Sequence, residues 1–216
     1  PSWNSLSIRL MRFGFGLGTD AVSARVTRDA ARPWRVAPVP GTTQLLRPDE
    51  VLDVVPGLYE RTARSRVGSL SRPPWWWTRV LRDATRPVDT MHGTGTFVAV
   101  HADAAGVDDG YVLYEVDWDE RFATNPVGRG VVHDLWGASA RVEIELWRYL
   151  VDIDLVVEWR AEPRPVDEPV RRAMHDARAY ETPLRIDDQW VRILDVDAAL
   201  SARSYGSVDD AITIAV

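Results

Sequence analysis

Cysteine is absent from the 216 residues, which excludes disulfide staples, thiolate zinc sites and a cysteine nucleophile. Lysine is absent too: all 26 basic residues are arginine, so neither a P-loop lysine nor a Schiff-base lysine can operate. A GC-rich genome, whose codons favour arginine, is a sufficient cause. No apolar run approaches the roughly 20 residues that span a bilayer, so membrane insertion is not expected. The start, Pro1-Ser2-Trp3-Asn4, has neither the basic nor the apolar region of a signal peptide. The compartment reads as cytoplasmic, with secretion as the alternative. An initiator methionine is missing, and the chain is expected to begin inside a longer protein. Net positive charge is also lacking. At −6 the chain has no general pull toward phosphate backbones, so a small cationic substrate or a protein partner fits better than nucleic acid.

What is present suits a folded domain, since 45% hydrophobic residues can bury a real core. The stretch 21–27 alternates as a strand after the turn Phe13-Gly14-Phe15-Gly16. Residues 32–41, with three prolines, read as an extended linker and a domain boundary. One strand cannot be a domain, so 21–27 should pair beyond that boundary. Pro48-Asp49-Glu50 opens a helix that turns Val51, Leu52, Val55 and Tyr59 inward, with a kink expected at Pro56-Gly57. Ser71-Arg72-Pro73-Pro74 opens a second helix, through Trp75, Trp76 and Trp77 to Leu81.

Strands at 96–101 and 111–118 form an antiparallel hairpin around an acidic loop. A strand at 130–136 runs into an amphipathic helix carrying Val142, Leu146, Leu150 and Ile153 on one face, and a buried strand follows at 155–159. That is a strand-helix-strand crossover. Then come a helix at 168–177, a hairpin of 180–186 against 190–194 turning at Asp187-Asp188, a helix at 198–204 and an apolar strand at 211–216. The order is that of an α+β fold.

Several strings within this order resemble one family. Leu58-Tyr59-Glu60-Arg61, Leu70-Ser71-Arg72, Gly110-Tyr111-Val112-Leu113-Tyr114, Leu146-Trp147-Arg148-Tyr149-Leu150 and Trp190-Val191-Arg192-Ile193-Leu194-Asp195-Val196 are similar to the middle portion of GNAT N-acetyltransferases of the enhanced intracellular survival (Eis) family. The resemblance covers roughly residues 12 to 216. It implies a GNAT-like mixed twisted sheet flanked by helices, divided into the tail of an upstream GNAT domain (1–31), a linker (32–41), a second, pseudo-GNAT domain (42–196) and the start of a C-terminal sterol-carrier-like domain (197–216). It further implies a parent enzyme that transfers acetyl from acetyl-CoA to primary amines of small polycations of the aminoglycoside or polyamine kind. This portion would be scaffold, pocket wall and homo-oligomer interface. The alternative is a non-catalytic pseudo-GNAT interaction domain.

The residues themselves argue against cofactor chemistry on this chain. A GNAT site needs an Arg/Gln-x-x-Gly-x-Gly/Ala loop at a helix start, whose bare N–H groups cradle a pyrophosphate. The matching junction reads Gly137-Ala138-Ser139-Ala140-Arg141, with one glycine in the wrong register. Gly93-Thr94-Gly95 and Gly128-Arg129-Gly130 read as turns. The resemblance implies a general-acid tyrosine four residues before Gly14, where this chain has Leu10, which transfers no proton. It also implies a C-terminal carboxylate base beyond Val216. Acetyl-CoA is therefore expected on the parent and not here, and no catalytic, cofactor-binding or metal residue is expected.

The remaining polar residues read as structural. His92, His101, His133 and His175 lack metal-ligand spacing. Asp103, Asp108 and Asp109 lack the calcium-loop pattern, and Glu143, Glu145, Asp152 and Asp154 read as the wet side of an amphipathic helix. Consecutive tryptophans stand about 100° apart on a helix, so at most two of Trp75, Trp76 and Trp77 can face one core, leaving the third for an interface. Asp187 and Trp190 are the candidate substrate-binding residues. The resemblance sets them at the border of an acidic pocket for polycationic amines, and the alternative for Asp187 is a turn aspartate.

Overall fold

A computed structural model describes residues 9–64, 66–86, 95–119 and 127–206. Seven strands, β1 Gly16–Thr27, β2 Gly41–Leu45, β3 Gly95–Asp103, β4 Asp108–Asp119, β5 Val127–Gly137, β6 Val156–Pro165 and β7 Tyr180–Val191, form one sheet in the order β2-β3-β4-β5-β6-β1-β7. β2–β3, β3–β4, β4–β5 and β6–β1 pair antiparallel, while β5 and β6 pair parallel. Between β5 and β6 lies helix α3, Ala140–Asp152; α1, Val51–Ala63, and α2, Pro74–Val80, precede β3. The expected crossover is therefore present, and the fold is a mixed α+β sheet flanked by helices. The expected strand at 211–216 lies outside the described residues.

Strand alternation sets up two cores. On β4, Tyr111 and Leu113 join Val98 and Val100 of β3 in a cluster with Val51, Val55, Leu58 and Tyr59 of α1 and Trp77 of α2. Val112, Tyr114 and Val116 join Ala99 in a second cluster, with Leu146, Trp147, Leu150 and Val151 of α3 and Trp159 of β6. Residues of odd and even number point to opposite faces of a pleated strand, so α1 and α2 cover one face and α3 the other. α3 starts where its sequence says it should: Ser139 adopts extended backbone and its Oγ accepts from the Val142 N–H, relieving an orphan donor of the first turn. Of the three adjacent tryptophans, Trp77 is buried, Trp76 packs partly against the core and Trp75 is exposed, as the helical spacing requires.

The described residues divide into two compact units, one within Asp20–Asp188 and a smaller one from those before Asp20 and after Asp188. The proline-rich segment 32–41 lies inside the larger unit. It is irregular as expected, yet Trp34 makes an isolated bridge to Met174, the Arg35 N–H donates to Ala173 O, and the His175 N–H donates to Pro33 O. Those contacts end the helix expected over 168–177 after one turn, Val170–Ala173, because the backbone at 173–175 is recruited by another segment. In the smaller unit Gly18 lets the backbone approach Val191, where a Cβ would come within 2.4 Å of Val191 Cγ2. Asp195 caps the short helix Val196–Ser201 by accepting from the Ala198 N–H.

Three further expectations are corrected. α1 runs unbroken through Pro56; the burial of Val55, Leu58 and Tyr59 outweighs the roughly 3 kcal/mol that an interior proline costs. Gly128 and Gly130 lie in β5 rather than in a turn. A Cβ at Gly130 would meet the Trp159 ring at 2.1 Å, so glycine is there for close packing. The expected hairpin at 180–194 is one continuous strand, β7, beside β1 in the sheet. Its neighbour supplies a ladder that overrides the turn preference of Asp187-Asp188.

Candidate functional site

A parallel strand pair with a crossover helix offers a crevice at the C-terminal ends of its strands, beside the helix N-terminus. Here that place is between β5, β6 and the start of α3. The parallel ladder stops at Val132 and Ala161, although β5 continues to Gly137 and β6 to Pro165. Beyond the ladder the chain's own charges fill the interior. Arg164 donates from Nη1 to Leu135 O at 3.1 Å and from Nε and Nη2 to the two oxygens of Glu168 at 2.8 and 3.0 Å. Glu168 also accepts from Trp147 Nε1 at 2.8 Å. Both side chains are buried, 5% and 1% exposed. Burial opposes the charge of Arg164, but the attraction and hydrogen bonds of Glu168 hold its pKa above the usual arginine value.

Three N–H groups of the β5–α3 junction are engaged as well. Ala138 donates to Asp109 O at 2.7 Å, Val142 to Ser139 Oγ and Glu143 to Ser139 O. The Glu143 side chain curls back toward Gly137, where a Cβ would stand 2.9 Å from Glu143 Cγ. Glu143 is 1% exposed and pairs with Arg66. Burial raises its pKa, against the opposing pull of Arg66 and Arg164. A pyrophosphate at this helix start would meet a resident carboxylate, so the residues present do not fit acetyl-CoA in this crevice.

On the opposite face stands a second polar constellation. Arg72 forms a two-pronged pair with Asp134, and its Nη1 also reaches the Tyr111 Oη at 3.2 Å. Its guanidinium lies 3.8 Å from the Tyr59 ring centroid, 4.2 Å from Trp76, 5.1 Å from Trp77 and 5.6 Å from Trp136. Asp134 accepts further from Tyr111 Oη at 2.6 Å and Trp136 Nε1 at 2.7 Å. Burial, reinforced by the charge of Asp134, pushes the Tyr111 phenol well above its ordinary pKa. Tyr111 therefore stays protonated and donates. Burial opposes the charge on Arg72, and Asp134 more than offsets it.

Asp187 and Trp190 are both half-buried positions of β7. The turn reading of Asp187 is overturned, since it stands inside a strand. Neither belongs to the two constellations above, which sequence reasoning missed. Glu143 and Glu145 were expected on the wet side of α3 but are buried. The spacing of Glu143, Trp147 and Leu150, four and three residues, placed Glu143 on an apolar face and was the available signal. Trp136 and Asp134, two apart on a strand, likewise had to share one face.

Several other acids and histidines have partners within the fold. Asp103 Oδ1 accepts from the N–H groups of Ala105 and Val107 in its own hairpin loop. Asp152 and Asp154 pair with Arg32 and Arg28. His101 is buried with Nδ1 2.6 Å from Asp109 Oδ1, and His133 faces Glu115. His92 and Gly93-Thr94 lie outside the described residues. Among the described residues no group of three or more His, Cys, Asp or Glu is placed to hold a metal ion, and no helix is long and apolar enough to cross a membrane.

A family model described as an acetyltransferase (GNAT) domain matches residues 68–193, more than half of the chain, and the chain belongs to that family. Within it the chain is 35% identical over 207 residues to an N-acetyltransferase of Streptomyces avermitilis, covering 93% of this chain and 48% of the relative. It is 31% identical over 199 residues to the N-acetyltransferase Eis of Mycobacterium tuberculosis, covering 90% of this chain and 46% of the relative. Among solved structures, Eis1 of Mycobacterium abscessus superposes with a TM-score of 0.74 at 32% identity, over 91% of this chain and 47% of that one. A GCN5-related N-acetyltransferase of Anabaena variabilis, at 14% identity and a TM-score of 0.67 over 95% of this chain and 47% of that one, shares the fold. The chain spans about half the length of the curated relatives it matches.

Proposed function

We propose that this chain is the second GNAT-like portion of an N-acetyltransferase, and that it serves as scaffold and pocket wall without binding acetyl-CoA itself. The observation that carries this reading is the filled crevice. Arg164 and Glu168 bridge the space beyond the β5–β6 ladder, and Glu143 returns a carboxylate to the helix start that a pyrophosphate would need. The parent, with its upstream domain, transfers acetyl from acetyl-CoA to primary amines of small polycations of the aminoglycoside or polyamine type. Asp187 and Trp190 on β7 contribute to the wall that receives the amine. The exposed Trp75 offers a contact for a second copy or for a neighbouring domain, because a large apolar ring in water favours a partner. In the proposed layout, residues 1–31 end the upstream domain, 42–196 form the second GNAT-like domain and 197–216 open a sterol-carrier-like one.

Calorimetric titration of the 216-residue chain with acetyl-CoA is the test. No heat of binding is expected at micromolar concentrations, whereas the parent binds under the same conditions. Micromolar binding by the chain alone would overturn the reading. The second reading, an interaction domain with no catalytic partner in cis, is favoured by the same filled crevice. It predicts a parent with no Arg/Gln-x-x-Gly-x-Gly/Ala loop upstream of Arg12.

A further inference from the structure

The box around Arg72 joins walls and occupant from different kinds of structure. Its walls stand on regular elements: Tyr59 on α1, Trp76 and Trp77 on α2, Tyr111 on β4, Asp134 and Trp136 on β5. Arg72 comes instead from the irregular segment 66–73 between α1 and α2. Apolar burial does little for that segment, since Val67 is 98% exposed and Leu70 66%. What fastens it is polar: Arg66 on Glu143, Arg72 on Asp134, and Tyr59 Oη donating to Leu70 O at 2.6 Å. Arg66 also lies 4.7 Å over the Trp136 ring.

We propose that this box is a binding site for a guanidinium cation, filled here by the chain's own Arg72, and that the segment 66–73 is a strap whose displacement hands the site to a small alkylguanidinium ligand. The box involves neither acetyl transfer nor acetyl-CoA, so it stands apart from the function proposed above. The shape selects the cation. A guanidinium is flat, presents two N–H groups to the two oxygens of Asp134 and a third contact to Tyr111, and lies over the rings of Tyr59 and Trp76. An ammonium is round and strongly hydrated and matches neither the fork nor the stacking. The site also differs from the Arg164–Glu168 pair. Arg164 and Glu168 are closed in, whereas Arg72 remains 15% exposed, so the box has an open edge.

Tethering explains why Arg72 holds the site. A side chain on a short segment faces its box at an effective concentration of roughly millimolar or above, and a free guanidinium must exceed that to compete. Arg72→Ala removes the competitor without altering any wall residue.

The test is a titration of the Arg72→Ala chain with ethylguanidinium and with ethylammonium, followed by tryptophan fluorescence and by Tm. Ethylguanidinium is expected to saturate with a Kd on the order of 1–10 mM and to raise Tm, with ethylammonium weaker by about tenfold or more. Asp134→Asn in the same background is expected to weaken ethylguanidinium by about tenfold. The unaltered chain should respond only at higher concentrations than the variant, by a factor set by the ratio of the tether's effective concentration to Kd. Should Arg72→Ala unfold the chain, the same titration is read by circular dichroism, and ethylguanidinium but not ethylammonium should restore the folded signal. Absence of a saturable response in the folded variant, failure to restore an unfolded one, or equal action of the two cations would overturn the proposal.

Discussion

Removing Glu168 as a charge gives the sharpest test of how the interior is held. Arg164 and Glu168 are almost fully buried, so neither can turn to water when its partner is lost. Glu168→Leu strands the Arg164 guanidinium and leaves Trp147 Nε1 without its acceptor. Breaking a buried pair from one side costs about 3–5 kcal/mol, and a stranded neutral donor adds about 1–3. A loss of about 4–8 kcal/mol is therefore expected, or roughly 8–32 °C in Tm for a chain of this size. Arg164→Met should cost about as much, because Glu168 is then the stranded charge.

The double variant Arg164→Met/Glu168→Leu removes both charges and should recover much of the loss, giving a coupling energy of about 2 kcal/mol or more. Urea unfolding of the four chains measures it, with a constant slope showing that the unfolding reaction is unchanged. If each single variant lost less than about 1 kcal/mol and the effects simply added, the pair would not be holding the crevice closed, and its role as a plug would fall.

Gly130→Ala drives a Cβ into the fully buried Trp159 ring and is expected to cost about 1–3 kcal/mol in urea unfolding, while Gly16→Ala, with nothing within 4 Å of its Cβ, should be near neutral. Glu143 carries a raised pKa in the fold, chiefly through burial, so the folded state holds its proton more tightly than the unfolded one. Its contribution to stability is thus present at low pH and lost as pH rises through and above the ordinary carboxylate range. Glu143→Gln should accordingly be more stable than the parent sequence near neutral pH, and the difference in urea midpoint should vanish in acid; a difference independent of pH would refute this. In the whole enzyme, Asp187→Ala is expected to raise the amine KM about fivefold with little change in kcat. A pocket-wall carboxylate contributes about 1 kcal/mol of uniform binding, and the effect should shrink in high salt. An unchanged KM at low ionic strength would remove Asp187 from the pocket.

Periodicity was enough to read the elements that bury one face. The stripe Val142, Leu146, Leu150 fixed α3, alternation fixed the β3–β4 hairpin, and the strand-helix-strand order fixed the parallel β5–β6 pair, because each pattern is local and its period is set by backbone geometry. Tertiary structure decided wherever a distant segment supplied the partner. Asp187-Asp188 reads as a turn until β1 lies alongside, and 168–177 reads as a helix until 33–35 takes the backbone at 173–175. Gly128 and Gly130 read as turn residues until Trp118 and Trp159 stand against them. The polar constellations belong to the same class. Arg72 meets Asp134 across 62 positions, and Arg66 meets Glu143 across 77. Charge pairing and desolvation depend on distance in space, which no local pattern encodes.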